Sequence, residues 1–132
     1  MKYHFPFLFW MIAIFVQSSF PSEFFPETEI LNVDKLFHMA VFGLLALFCY
    51  ISLIHQYKIK FWNSKPLLFS LIICSLYGIS DEYHQAFVPN RSSEFVDWLS
   101  DFAGIIITIL IIKYYLQKHY SLFKPKYINN LS

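Results

Sequence analysis

Apolar runs that approach the length of a membrane crossing recur four times along the chain, each closed by a polar or proline signal. Phe5 to Phe20 carries no charge and is stopped by Pro21; Leu36 to Ile54 has His38 as its only titratable side chain. A third run opens at Leu67 after Pro66, stays apolar to Ile79, and then meets Asp81, Glu82, His84 and Gln85 before Val88-Pro89. Counted only to Ser80 it is too short to cross, so the helix is expected to continue through the polar group. The residue before a proline is disfavoured in helical geometry, which sets the stop near Val88. Ser93 is a suitable N-cap for the fourth run, with Glu94 at the positive helix end, and the run leaves apolar character at Lys113. A crossing takes about 20 apolar residues, with a range of about 17 to 25. The pattern therefore predicts an all-α, polytopic membrane protein: a single domain of four transmembrane helices in a compact bundle, with spans near 5–20, 36–54, 67–88 and 94–112. A cleaved signal peptide is the competing reading of the first run, but no small-x-small cleavage site follows it.

Composition supports the same solvent. Of 132 residues, 57% are hydrophobic, 21% aromatic and 14% charged, and the mean hydropathy is +0.47. A soluble domain carries about 25% charged residues. The net charge of +1 lacks the basic excess of a nucleic-acid binder. Cys49 and Cys74 each lie inside an apolar run and read as two buried free thiols, not as a disulfide framework. Charge also orients the spans. All nine acids fall between the first and second spans or between the third and fourth, or at the ends of the spans that flank those loops. Eight of the ten basic residues (Lys2, Lys58, Lys60, Lys65, Lys113, Lys118, Lys124 and Lys126) fall on the other side. The positive-inside rule then predicts a multi-pass protein of the bacterial cytoplasmic membrane with both termini in the cytoplasm.

The outer ends of the second, third and fourth spans hold the chemistry. Asp34 and His38 are four apart, Asp81 lies three before His84 and four before Gln85, and Asp97 and Asp101 are four apart, so each pair shares a helix face. Asp97, Ser100, Asp101, Gly104 and Thr108 form a polar, small face suited to another helix and not to lipid. Ionisable residues at membrane depth are costly and usually mark function. Asp34, Asp81, Glu82, Asp97 and Asp101 against Lys35 and Arg91 leave three excess negative charges. Protonated histidines, shared protons, a bound cation or exposure to water would each resolve that excess. Asp81, Glu82 and His84 are the candidate catalytic acid/base groups; Asp34, His38, Gln85, Arg91, Asp97 and Asp101 are candidate binding residues. Arg91 reads either as a phosphate or carboxylate contact or as a salt bridge to Glu94 or Asp97. Asp81-x-x-His84 echoes the acid-x-x-His pairs of metal-binding bundles, though no second such pair is present. There is no nucleophile elbow, phosphate loop or dinucleotide fingerprint.

Three blocks resemble the VanZ-like family of small bacterial membrane proteins, named for a teicoplanin-resistance factor. They are Trp10 with Ser18-Ser19, then Asp34-Lys35-Leu36-x-His38, then Asp81-Glu82-x-His84-Gln85-x-Phe87-x-Pro89-x-Arg91 continuing to Ser93, Asp97 and Asp101-x-x-Gly104. Asn90 stands where a glycine often precedes the arginine, and Asp101 where relatives carry Asn or Asp. The resemblance implies a four-helix membrane protein and, in some members, lower susceptibility to lipoglycopeptides; it supplies no catalytic mechanism. Two function classes stay open. One is an active site for a lipid-linked or phosphate-bearing envelope component, a class that includes lipid-linked cell-wall components. The other is a structural or binding node that acts on membrane lipid or a partner.

Overall fold

Prolines and polar turns divide the chain into helices where the hydropathy pattern changes. The computed structural model describes residues 2–21, 33–56, 58–90 and 95–118. Its helices are α1 (Phe5–Ser18), α2 (Val33–His55), α3 (Lys60–Ser64), α4 (Pro66–Gln85) and α5 (Phe95–Lys118), with no strand among the described residues. Pro6 and Pro66 sit in the first turns of α1 and α4, where a missing N–H costs nothing. Helices stand where the four apolar runs were expected, with shifted ends. α2 begins earlier, α5 runs on through Lys118, and α3 is a short amphipathic turn that the apolar runs did not announce. α4 stops at Gln85 and not at Val88, because Phe87 and Val88 donate to the carbonyls of His84 and Gln85, tightening the chain ahead of Pro89. The proposed N-cap Ser93, with Glu94, lies outside the described residues.

Among the described residues, α2 and α5 alone are both long and apolar enough to meet a membrane-crossing criterion, where the sequence had suggested four such helices. α1 has 14 residues, about 21 Å of helix. The acidic, His-containing last turns of α4 lower its apolarity.

α2 occupies the centre and touches all the other helices, whereas α1 and α5 lie on opposite flanks of the α2–α4 pair. The pairings fix direction. His4 of α1's leading turn bonds Ser52 near the end of α2, while Ser19, just past α1, bonds His84 near the end of α4. Lys35 and His38 meet Asp97 and Asp101, and Gly43 meets Thr108, so α2 and α5 run parallel and α4 antiparallel to both. The start of α2, the end of α4 and the start of α5 therefore gather the acids at one end of the bundle. Lys58, Lys60, Lys65, Lys113 and Lys118 belong to the other.

Small residues let α2 and α5 approach closely. A Cβ at Gly104 would lie 2.1 Å from the Met39 carbonyl oxygen, and one at Gly43 2.8 Å from Thr108 Oγ1. On α4 the buried Ser70, Cys74, Gly78, Asp81 and Gln85 follow helical spacing, and the opposite stripe of Leu68, Ile72, Leu76, Ile79 and Tyr83 is exposed. Phe42, Leu45, Ala46, Cys49, Cys74 and Ile105 fill the centre, and both cysteines are buried free thiols, as their apolar settings suggested.

Candidate functional site

The first turns of α2 and α5 and the last turn of α4 converge because each helix turns its polar stripe inward. At the rim, Lys35 forms an ion pair with Asp97 and also lies 3.1 Å from Asp34. The Asp34 side chain is 58% exposed, so this acid is a solvated outer member. Asp97 is buried, and Lys35 is the charge that meets it.

One turn further in, His38 Nδ1 lies 2.8 Å from Asp101 Oδ1. Asp101 is 0% exposed, and its second oxygen, Oδ2, has no hydrogen-bond partner among the described residues. Glu82 of α4 closes the group: one donor atom from each of His38, Glu82 and Asp101 lies within 4.8 Å of the others. Asp81 accepts a bond from Gln85 Nε2 at 2.9 Å, and its other oxygen is buried without a partner among the described residues. Gly78 keeps this floor open, since a Cβ there would touch Trp98 Cδ1 at 3.4 Å and Asp101 Oδ2 at 3.7 Å. The indole N–H of Trp98 is likewise buried with no acceptor among the described residues.

Spacing placed Asp34 with His38 and Asp97 with Asp101 on shared helix faces. The bonds that Lys35 and His38 make from α2 cross to Asp97 and Asp101 on α5. Asp81 and Gln85 do pair within α4, as their four-residue spacing suggests. His84 separates from Asp81 as a chelating pair: its ring stacks on Phe15 at 4.6 Å, and its Nε2 lies 3.0 Å from Ser19 Oγ. The Ser19 hydroxyl donates to the Phe15 carbonyl at 2.7 Å, so its oxygen accepts from the imidazole. A serine activated as a nucleophile would donate to its histidine. This arrangement anchors α1 to α4. Arg91 lies outside the described residues. Lys35 and Trp98 were missed as site residues. Lys35 had a signal, being a cation beside an acid in the first turn of a span; Trp98 had none beyond lying between Asp97 and Asp101.

Chemically, the site offers an imidazole oriented by a buried carboxylate, two further acids from α4, and acceptor atoms still open to a cation or a proton. No curated protein and no solved structure matches the chain. A family model described as VanZ/LLP1 matches residues 3–117, a stretch that includes α1 to α4, α5 up to its last residue and, from Lys35 to Asp101, the described convergent polar cluster, so the chain belongs to the VanZ/LLP1 family.

Proposed function

We propose that the chain is a four-span protein of the bacterial cytoplasmic membrane, with both termini cytoplasmic, that acts on the cell envelope through the polar cluster at the outer ends of α2, α4 and α5. Its partner is membrane lipid or a lipid-linked cell-wall component, and its effect is lowered susceptibility to lipoglycopeptides such as teicoplanin. The observation that carries this reading is a buried group of acids and a histidine at one end of a bundle whose flanks are apolar and exposed. Leu8, Ile12 and Phe15 on α1, the Leu68 to Tyr83 stripe on α4, and Ile107, Leu110 and Ile111 on α5 would form an aggregating surface in water. A bilayer covers that surface. α1 reaches from the end of α2 to the end of α4 despite its length, so local thinning or flanking residues would complete its crossing. An apolar groove of about 500 Å³ between α2 and α5, reaching Leu36 at its outer end, offers a bed for a lipid chain beside the cluster.

An enzyme acting on a phosphate-bearing envelope substrate is the second reading. It is favoured by the two buried carboxylate oxygens, Asp81 Oδ1 and Asp101 Oδ2, that have no hydrogen-bond partner among the described residues. A group serving only stability would be expected to use them, because a buried polar atom without a partner costs about 1–3 kcal/mol. His38 with Asp101 is then the acid/base pair, and Asp81, Glu82 and Arg91 bind or orient the substrate.

Topology and effect are tested separately. In a background lacking Cys49 and Cys74, Ser64→Cys should react with an impermeant maleimide only after the cytoplasmic side is opened, and Ser92→Cys in intact cells. Equal labelling of both from outside would end the four-span model. In a Gram-positive host, the wild-type chain should raise the teicoplanin concentration needed to stop growth. Asp81→Asn and Arg91→Gln should accumulate in the membrane at wild-type levels and lose the effect. Full protection by both variants would remove the cluster from the function.

A further inference from the structure

We propose that His38, Glu82 and Asp101 bind one divalent first-row transition-metal ion. Three helices deliver these donors, α2, α4 and α5, and their ligand atoms already lie within 4.8 Å of one another. Tetrahedral metal–nitrogen and metal–oxygen bonds of about 2.0–2.2 Å hold neighbouring donors about 3.3–3.6 Å apart. His38 Nδ1 and Asp101 Oδ1, now 2.8 Å apart across a hydrogen bond, separate by roughly half an ångström or more as the metal replaces the proton between them, and the Glu82 donor lies within 4.8 Å of both.

A second observation points to a cation independently of the clustering. Asp101 is completely buried and Asp81 is 4% exposed, yet Asp101 Oδ2 and Asp81 Oδ1 have no hydrogen-bond partner among the described residues. An ionised carboxylate in that setting is costly until positive charge reaches it. Lys35 is directed to Asp97 and Asp34 at the rim. The ligands Glu82, Asp101 and a neutral His38 sum to zero with a dication, and Asp81 beside them adds one negative charge that a proton offsets. One imidazole with two carboxylates is a mixed N/O donor set; the nitrogen favours Zn²⁺ over Ca²⁺ and Mg²⁺, which prefer oxygen alone, and the two carboxylates also suit Mn²⁺. Asp81, held by Gln85, faces the same floor and is placed to bond a water on the metal. This assignment deepens the envelope reading and rests on the same residues, but it is measured by binding, so its failure is distinct from a failure to protect against teicoplanin.

The full chain, purified in detergent and stripped with EDTA, is titrated with MnCl₂ and ZnCl₂. One equivalent of Mn²⁺ should bind, Zn²⁺ should displace it, and pulsed EPR of the Mn²⁺ form should show coupling to a single imidazole nitrogen. His38→Gln should abolish that nitrogen signal, and Glu82→Gln should weaken binding at least tenfold, while Asp34→Asn binds as wild type. The wild-type spectrum is decisive even where a variant fails to accumulate. Mn²⁺ bound without nitrogen coupling, less than half an equivalent bound, or unchanged affinity in a folded Glu82→Gln protein would each overturn the site.

Discussion

Gly104→Ala should prevent stable association of α2 with α5 and remove most of the protein from the membrane fraction. A methyl group there meets the Met39 carbonyl oxygen at 2.1 Å, and the Met39 carbonyl carbon and Cα at 2.7 and 2.8 Å. All three are backbone atoms of a helix that also packs on α1, α3 and α4, so no rotamer change relieves the clash. Overpacking a tight core costs about 1–3 kcal/mol and occasionally more; with backbone on both sides, about 3 kcal/mol or more is expected. Gly78→Ala is the control. Its Cβ would meet side chains at 3.4 Å or farther, ordinary contact, so this variant should accumulate normally. Fluorescence-detected size exclusion in mild detergent reads both results: a folded, monodisperse Gly104→Ala protein would show that the α2–α5 contact does not hold the bundle.

The difference between these two glycines also marks what the sequence could convey. Helix existence was legible because Pro66, Pro89 and the long uncharged runs act locally, and so was the inward stripe of α4 and α5, because a period of 3.6 residues needs no tertiary information. The ends moved by a few residues where capping bonds decided them, as at Phe87 and Val88. Partner choice was not legible. Spacing can say that Asp34 and His38 share a face; it cannot say that the parallel packing of α2 on α5 sets His38 opposite Asp101, since that register depends on the close approach at Gly104. For the same reason His84, three residues from Asp81, was expected in the acidic cluster and instead turns to Phe15 and Ser19. Trp98 carried no pattern at all, because its buried indole N–H becomes notable only once Gly78 lies beside it.

His38→Leu should be among the most destabilising single changes at the site, and a second change should restore the fold without restoring function. Removing the imidazole leaves Asp101 wholly buried with both oxygens lacking the partners described here, and breaking a buried charged pair from one side costs about 3–5 kcal/mol. Adding Asp101→Val removes the stranded carboxylate. Replacing both members of a buried polar pair by apolar groups of similar volume is often neutral or stabilising. The double variant should therefore unfold in detergent within about 1 kcal/mol of the metal-stripped wild type. A node that serves only to hold α2 against α5 would regain its effect on the envelope along with its stability. A site that binds cation or substrate through His38 and Asp101 would regain the fold alone, and the double variant would sit in the membrane at wild-type amounts with no Mn²⁺ binding and no protection against teicoplanin. Thermal unfolding of the three proteins beside growth inhibition in the same host separates these outcomes: a double variant that both folds and protects would reduce the His38–Asp101 pair to packing.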